Sequence, residues 1–574
     1  MATETDHEVE ERHRASRRHA SLGLREWGRV RRALPATVLA LGIALQALLL
    51  VGFARQFWFV MDDWDFLLLR GTIPAESRGW LEPKNGHWST LTIAIYRALF
   101  ALFGLRTYLP YALVTIVFHL AIAALWYVIL MRLRARRVAA LVGAWVILFL
   151  GVGGDAVMYS AAMNHLGSLL LGLSALLLVL SERHRTWVVA IPLVGALMFS
   201  NTGVSAVFFV VAFVAIRHGL LRAARLVVVP AAVYLLWYSL YGHVEAGAQM
   251  PTGVWDYLKI PQLVWQGMSA AMGNALGYAE VGPAVLVALL VGTALVKSRK
   301  EKLKQLAWAG ILAAVFMSTT LSLSRQFVAP DTGRYSYYTI VFLVPAVALC
   351  IEGVSRLAVE PKWLPALIAA GLLGGYAVNG VLAERTFADT WVPITRPWPD
   401  RTLGMVAAVD AGERSLNDFS GDFYNGDINP QRITEPAIRR ALPRGKATPQ
   451  GRIDAEGLFM VRVGTKSAVP ATTGGLDQIA GSFTTPMKPG AGCHTYQAQG
   501  QRPALVLGTG QGNEITVTSQ STEVVTQILR GQNLASVQRT WTVTPGTIYV
   551  STTAKEALVF VTLNGAGEYT ICKS

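Results

Sequence analysis

The sequence ALPATVLALGIALQALLLVGFA (33–54) continues directly into RQFWFVMDDWDFLLLRG (55–71), and these two stretches decide the fold class. About twenty consecutive apolar residues are what a helix needs to cross a bilayer. The second stretch carries Asp62, Asp63 and Asp65 among aromatic residues, which are enriched where a span meets the lipid headgroups. The two stretches therefore predict a membrane span with a carboxylate cluster at its mouth.

This carboxylate cluster is suited to chemistry at a membrane surface. A positioned aspartate such as Asp62 or Asp63 can deprotonate a hydroxyl group. The ring of Trp64 and the carboxylate of Asp65 can contact a sugar or a lipid headgroup. The alternative is that the segment is a solvated turn beside the membrane, with no binding or catalytic role.

The composition is that of a membrane protein. Of 574 residues, 53% are hydrophobic and 15% are charged, and the apolar residues are gathered into long runs. The net charge of +15 does not indicate nucleic-acid binding, because the basic residues form short clusters between those runs. The first run follows an arginine-rich tail (1–32) and lacks an obvious small-residue cleavage site, so it is predicted to be a retained span.

The charges of the loops predict the orientation of the spans. Loops rich in Lys and Arg face the cytoplasm. The basic stretches, predicted to be cytoplasmic, are 17–32, 132–137, 182–185, 217–225, 297–304 and 352–362. The loops 151–165, 200–203 and 242–281 hold only Lys259 between them and are predicted to be extracytoplasmic.

Residues 187–216 form either one long helix or two short ones. Both flanks are basic, so the segment must cross the membrane an even number of times. The tetrapeptide SNTG (200–203) then becomes the outer turn of a hairpin of two short helices. The resulting count is about eleven spans, with a cytoplasmic N-terminus and an extracytoplasmic C-terminus.

The composition changes near residue 384. The long apolar runs end, and alternating or β-branched segments appear between turn residues, which is the pattern of a β-sandwich. The predicted domains are a basic tail (1–32), a polytopic α-helical membrane domain (33–383) and an extracytoplasmic β-rich domain (384–574).

The cysteines agree with this division. Cys493 and Cys572 both lie in the predicted β-rich domain, and Cys350 lies in a span. Disulfides form in oxidising compartments outside the cytoplasm. The sequence therefore predicts a Cys493–Cys572 disulfide, independently of the charges of the loops.

Further candidate site residues also fall in the predicted outer loops. They are His87, Asp155, His165, Arg325, Arg334 and Tyr335. An arginine at a membrane surface can bind a phosphate through two parallel hydrogen bonds, or it can extend to lipid headgroups without a specific ligand.

Structural roles are the alternative for the other candidates. Tyr335 is also explained by an interfacial aromatic belt, and the two histidines by ordinary hydrogen bonding. The GVGGD segment (151–155) is too short a match for a phosphate-binding loop, and no His/Cys pattern has zinc spacing.

The arrangement resembles the GT-C superfamily of integral-membrane glycosyltransferases. Members have many spans, an aspartate pair or Asp-Glu in the first outer loop, and often a soluble C-terminal domain. The matching positions here are Asp62 and Asp63 in MDDWDF. The segment from NGHW (85–88) to YRALFALFGLRTYLPYAL (96–113) also looks like bacterial members, and the likeness extends over about residues 30–380.

The resemblance implies a function and its partners. The donor would be a hexose or pentose on a polyprenyl phosphate, and the acceptor a cell-envelope glycan, glycolipid or protein. An aspartate of the first loop would act as general base, and Arg325 or Arg334 would hold the donor phosphate. The protein would be a multi-pass protein of the bacterial inner membrane, with no cofactor or with a divalent cation (Mg²⁺, Mn²⁺ or Ca²⁺).

Two alternatives remain open at this point. A lipid-linked oligosaccharide flippase or transporter would place ionisable residues near mid-membrane, and the span centres look almost uncharged. A membrane acyltransferase would depend on a buried histidine, and no span centre clearly offers one. The C-terminal region resembles the carbohydrate-binding modules of some actinobacterial cell-wall transferases only in general character.

Overall fold

The structure is a computed structural model that describes most of the chain up to Phe459 and, beyond it, the strands alone. The described ranges up to Phe459 are 33–74, 77–181, 185–245, 254–296, 300–324, 333–355, 364–411 and 428–459. The basic tail (1–32) and Arg325 lie outside the described residues.

The described part of the chain is a polytopic helical protein, as the sequence predicts. By length and composition, eight of its helices can cross a membrane, compared with the expected eleven spans. These are Ala33–Ala54, Leu109–Arg132, Arg137–Val157, Ser160–Leu180, Leu220–Leu240, Glu301–Leu323, Gly333–Val354 and Leu367–Asp410. Four shorter apolar helices are Thr90–Phe103, Thr186–Phe199, Thr202–His218 and Ala279–Leu295.

The remaining helices are short or less apolar. They are Asp62–Trp64, Asp65–Leu69, Gly242–Glu245, Val254–Leu258, Ile260–Leu276, Pro430–Thr434, Pro436–Ala441 and Pro449–Phe459. Within the last long helical stretch, the backbone breaks between Leu364–Thr395 and Trp398–Asp410. Residue 384, the predicted domain boundary, therefore falls inside a helix.

The hairpin predicted for residues 187–216 is confirmed. Thr186–Phe199 and Thr202–His218 are separate helices joined at Ser200 and Asn201. A glycine is needed just after the turn, because a Cβ at Gly203 would lie 2.2 Å from the carbonyl oxygen of Ala196. That separation is shorter than van der Waals contact allows, so any side chain at this position would push the two helices apart.

The chain divides into two compact units. The first comprises 1–55, 81–92 and 111–389, and the second comprises 56–80, 93–110 and 390–574. The first unit therefore contains most of the membrane helices. The second contains the aspartate-rich segment after the first span, together with the C-terminal region.

Three stretches predicted to be cytoplasmic meet in the first unit. The buried Glu352 carboxylate lies 2.6 Å from Lys300 Nζ and 3.7 Å from Arg136 Nε. Arg136 also donates to the backbone oxygen of Ser355 at 2.6 Å. These residues belong to the stretches 132–137, 297–304 and 352–362. The three stretches therefore lie at the same end of the helices, as loops on one side of a membrane must.

Two buried polar residues correct the expectation that the span centres are almost uncharged and offer no clear buried histidine. Glu384 accepts a hydrogen bond from Gln46 Nε2 at 2.5 Å inside the first unit. His119 lies in the middle of Leu109–Arg132, with its ring nitrogens 2.9 Å from Tyr337 Oη and 3.2 Å from the oxygen of Leu148. Both nitrogens of His119 are thus engaged by the protein, which favours a structural role over acyl-transfer catalysis.

The described strands after residue 460 pair into two antiparallel sheets. They are Val461–Gly464 (β1), Lys488–Gly490 (β2), Cys493–Ala498 (β3), Ala504–Leu507 (β4), Asn513–Ser519 (β5), Glu523–Arg530 (β6), Asn533–Leu534 (β7), Arg539–Thr542 (β8), Gly546–Thr552 (β9), Leu558–Leu563 (β10) and Gly567–Lys573 (β11). One sheet has the order β1-β9-β5-β11-β3-β2, and the other β4-β10-β6-β7 with β8 also paired to β6.

The strand register places the two C-terminal cysteines opposite each other. Cys493 in β3 and Cys572 in β11 are directly paired in the antiparallel ladder. Directly opposed residues have Cα atoms about 4.5–5.5 Å apart, which lies within the range that a disulfide spans. The side chains of both cysteines lie outside the described residues, so the bond itself stays a prediction.

We expect the denatured, non-reduced protein to contain one free thiol, that of Cys350. A bond between Cys493 and Cys572 closes a loop of about 80 residues, which by the loop-entropy model stabilises the fold by about 4 kcal/mol. Thiol titration with and without reductant checks this, with Cys350→Ser as the control that should lower the count to zero. Three reactive thiols before reduction would contradict the bond.

Candidate functional site

The segment after the first span is a tight turn held in an unusual backbone conformation. The amide of Asp63 donates to the carbonyl of Val60 at 3.1 Å, and Met61 between them has φ 50° and ψ −120°. A residue other than glycine in such a conformation costs about 1–3 kcal/mol, and such strain is concentrated at functional sites. The strain fixes the direction in which the next residue, Asp62, leaves the turn.

Asp63 holds this turn together. Its side chain is fully buried, and its Oδ2 atom accepts the amide hydrogen of Val60 at 3.0 Å. Its Oδ1 atom accepts a hydrogen bond from the Tyr96 hydroxyl at 2.5 Å. The carboxylate of Asp63 therefore ties the turn to helix Thr90–Phe103.

Asp65 belongs to a buried ion cluster. Its Oδ2 atom lies 3.0 Å from Arg70 Nε, and its Oδ1 atom lies 3.5 Å from an Arg78 nitrogen. Arg70 has no exposed surface and also donates to the carbonyl of Gly79 at 2.9 Å. These contacts give Asp65 a structural role, and the substrate contact expected from the sequence stays a prediction.

Trp64 is part of the core of the second unit. Its ring is fully buried, 5.3 Å from the ring of Trp58 and 5.7 Å from that of Phe59. The ring is thus packed against other aromatic rings of the core, and the sugar contact expected for Trp64 stays a prediction from the sequence. Of the four consecutive residues Asp62–Asp65, only Asp62 is not buried.

In the first unit, a tight turn presents His87. Lys84 and His87 exchange two backbone hydrogen bonds of 2.9 and 3.1 Å around Asn85 and Gly86, which have φ of 51° and 75°. Two central residues with positive φ define the type I′ turn that the Asn-Gly dipeptide favours. His87 Nδ1 then accepts the amide hydrogen of Asn201 at 3.3 Å, which docks the turn on the helical hairpin.

His165 lies beside His87 in the same unit. The two rings are perpendicular with centroids 5.4 Å apart. His165 Nδ1 lies 2.7 Å from the Thr202 hydroxyl and 3.2 Å from the Ser200 hydroxyl. On another side, its ring is 4.8 Å from the ring of Tyr338. The fold thus gathers two candidate histidines that are 78 positions apart in sequence.

Arg334 and Tyr335 stand at the start of the helix that carries Tyr338. The guanidinium carbon of Arg334 lies 5.4 Å from the centroid of the Tyr335 ring, in a cation–π contact. The carboxylate of Asp155 and the guanidinium of Arg334 carry opposite charges and attract each other. Tyr338 thereby joins four candidates from the sequence into one cluster: His165, Asp155, Arg334 and Tyr335.

The glycines before Asp155 allow this approach. A Cβ at Gly151 would lie 2.1 Å from the carbonyl oxygen of Gly380, and one at Gly153 would lie 2.5 Å from the ring of Tyr337. The GVGGD segment is therefore glycine-rich because other helices pack directly on its backbone, which accounts for the pattern without a phosphate-binding loop.

Two residues important to these clusters are not among the expected site residues. Arg70 compensates the charge of Asp65, and Tyr338 links His165 to the helix of Arg334. Tyr338 could have been predicted as a site residue from its spacing to Arg334, because residues four apart lie on the same face of a helix. No comparable local pattern identifies Arg70.

The comparisons with known proteins give one structural likeness. No family model matches the chain, and no curated protein matches it. The chain is similar to the crystal structure of ArnT from Cupriavidus metallidurans bound to undecaprenyl phosphate, with 14% sequence identity and a TM-score of 0.44. The match covers 71% of this chain and 85% of that chain.

Proposed function

We propose that the chain is a GT-C-type membrane glycosyltransferase that moves a sugar from a polyprenyl-phosphate donor to an extracytoplasmic acceptor. The observation that carries this proposal is the turn at residues 60–65. In this turn the backbone is strained at Met61, and the carboxylates of Asp63 and Asp65 are bound by other residues. Between Met61 and Asp63, the carboxylate of Asp62 is held at a partly exposed position after the first span. A general base must be positioned and reachable at once, and Asp62 meets both needs.

The proposed reaction has one chemical step. Asp62 removes the proton from an acceptor hydroxyl, and the hydroxyl oxygen bonds to the anomeric carbon of the donor sugar. The bond from that carbon to the phosphate oxygen breaks, and its electron pair leaves with the polyprenyl phosphate. Asp63 acts as a positioning residue, because its two hydrogen bonds fix the turn that carries Asp62.

The leaving phosphate needs a cationic partner, and Arg334 is proposed for that role. Arg334 is held by contacts to Tyr335 and Asp155. A fixed guanidinium can bind two phosphate oxygens and stabilise the charge that develops on them as the bond breaks.

A cation cofactor has no defined place in this proposal. Within the described ranges, no three His, Cys, Asp or Glu side chains gather in a way that could hold a metal ion. The steps above are assigned to side chains, and a divalent cation (Mg²⁺, Mn²⁺ or Ca²⁺) stays a prediction from the sequence.

The location and the C-terminal region complete the proposal. We place the protein in the bacterial inner membrane, with the N-terminus in the cytoplasm and the residues after 410 outside. There the paired sheets of residues 461–573 would form an extracytoplasmic β-rich domain. The lipid bilayer, a polyprenyl-phosphate sugar and a glycan or glycolipid acceptor are the proposed partners.

Comparing the cell-envelope glycans of a strain that lacks the chain with those of its parent tests the function. We expect one glycosyl linkage to disappear, and to return with the wild-type chain but not with Asp62→Asn. A flippase, the alternative function, does not need a base, so restoration of the linkage by Asp62→Asn would contradict a transferase and favour transport.

Arg334→Lys is expected to impair turnover strongly although the charge is kept. Lysine offers a single ammonium in place of the planar fork that matches two phosphate oxygens. The loss of one charge-assisted hydrogen bond corresponds to about a 10–100-fold decrease in kcat/KM. The matched control is Arg385→Lys, at an exposed arginine paired with Asp389, which should leave kcat/KM unchanged. Equal activity of the two variants would contradict the role of Arg334 as the phosphate ligand.

A further inference from the structure

Two polar groups beside Arg334 are shielded from solvent and lack hydrogen-bond partners among the described residues. They are the Tyr338 hydroxyl and the Oδ1 atom of Asp155. The Tyr338 side chain has no exposed surface. Buried polar groups in native proteins are nearly always hydrogen-bonded, and an exception at a candidate site indicates a missing partner such as a ligand.

The two groups lie at the same end of one helix. A Cβ at Gly333 would lie 3.3 Å from Asp155 Oδ1, so this oxygen touches the first turn of Gly333–Val354. Arg334 is the next residue, and Tyr338 lies one turn further on the same face. Tyr338 is also within electrostatic range of both Arg334 and Asp155. One cation, one carboxylate oxygen and one hydroxyl therefore form a single cluster.

The carboxylate decides which ligand this cluster fits. A phosphate alone offers only hydrogen-bond acceptors and negative charge. Asp155 would repel it, and most strongly a phosphate monoester, which carries between one and a half and two negative charges at neutral pH. A ligand that adds hydroxyl groups beside its phosphate can donate a hydrogen bond to Asp155 Oδ1 and pair with the Tyr338 hydroxyl.

We propose that Asp155 and Tyr338 bind hydroxyl groups of the donor sugar next to the phosphate on Arg334, and so distinguish the glycosylated lipid from the bare lipid phosphate. This inference rests on the proposed function, because it takes Arg334 as the phosphate ligand. It adds a specificity-determining pair that favours the sugar phosphodiester, with its single negative charge, over the phosphomonoester product. The same pair then promotes release of the product after transfer.

The discrimination follows from the cost of unpaired polar groups. A site built to hydrogen-bond a hydroxyl rejects a ligand that lacks it, because its own buried groups then remain unsatisfied. Removing the Asp155 carboxylate or the Tyr338 hydroxyl should therefore weaken the discrimination against the bare lipid phosphate. Variants at these two positions are expected to lose selectivity more than they lose overall affinity.

Competition binding on the purified full-length protein in detergent tests this inference. The probes are a polyprenyl phosphate and the same lipid phosphate esterified to mannose, glucose or arabinose. We expect the wild-type protein to prefer at least one esterified lipid. Tyr338→Phe should reduce that preference about 3–10-fold and Asp155→Asn about 10-fold or more, as expected for a neutral and a charged hydrogen bond.

Tyr337→Phe is the matched control. It removes a hydroxyl from the same helix, but one that is bonded to His119. It should lower the thermal stability and leave the preference unchanged. Tyr338→Phe should change the preference with little loss of stability, because it removes no hydrogen bond to a described residue.

The outcomes separate the inference from the function on which it rests. No preference for any esterified lipid, or a preference that Asp155→Asn and Tyr338→Phe leave intact, overturns the specificity pair. Arg334→Gln should weaken the bare and the esterified lipids alike. If it weakens neither, the phosphate site itself is misplaced and the proposed function loses its donor ligand.

Discussion

Asp62→Asn is expected to lower the turnover number about 10²–10⁴-fold, which is the usual contribution of general base catalysis. The amide keeps the shape of the carboxylate but cannot accept a proton at neutral pH. Substrate binding should change little, because the proton is transferred only in the transition state. Release of polyprenyl phosphate from a glycosylated donor by the purified protein provides the measurement.

Asp256→Asn is the matched control for this prediction. Asp256 belongs to a stretch also predicted to be extracytoplasmic, and it pairs with Lys259 at 3.2 Å on the protein surface. Its replacement should leave turnover unchanged. Asp63→Asn should act through the turn, lowering both stability and turnover, because Asp63 accepts hydrogen bonds from Val60 and Tyr96. Near-normal turnover of the folded Asp62→Asn protein would place the base elsewhere.

Asp65→Asn is expected to destabilise the protein by about 3–5 kcal/mol. The side chains of Asp65 and Arg70 are 2% and 0% exposed, so the substitution leaves the Arg70 charge buried without its nearest compensating carboxylate. Thermal or denaturant unfolding in a defined detergent provides the measurement. Any loss of activity should accompany the loss of folded protein.

A double variant distinguishes the destabilisation caused by a buried unpaired charge from the stabilisation contributed by the ion pair itself. Asp65→Leu combined with Arg70→Leu should recover much of the stability, because apolar residues can replace a buried ion pair at little cost. As a surface control, Asp410→Asn breaks a half-exposed pair with Arg439 and should cost less than about 1 kcal/mol. A destabilisation by Asp65→Asn as small as that of the control would contradict a structural role for Asp65.

Local sequence patterns predicted the features that depend on neighbouring residues. The apolar run 33–54 is a helix, and the basic flanks of 187–216 correctly required two helices in that segment. The turn at Asn85 and Gly86, with positive φ at both positions, is also of local origin, although it was not predicted. Each of these features arises from hydropathy, charge or backbone preference within a few turns of chain.

The roles of individual polar residues depended on distant partners. The sequence predicted Asp62 and Asp63 as candidate bases and Asp65 as a substrate contact. In the structure, the hydroxyl of Tyr96 binds Asp63 and the guanidinium of Arg70 pairs with Asp65. Trp64 was predicted to contact a sugar, and its ring lies in the core. Burial cannot be read from residue type at a membrane surface, because aromatic and charged side chains occur there both inside and outside the fold.

The sequence by itself determined a polytopic helical protein with carboxylates after its first span, because hydropathy and charge are properties of contiguous segments. Only the tertiary structure placed Asp155 at the start of the helix of Arg334, 179 positions later in the chain, and His87 beside His165. It also left the buried Tyr338 hydroxyl without a described partner. Such contacts depend on how the helices pack, and no local pattern records which side chains that packing brings together.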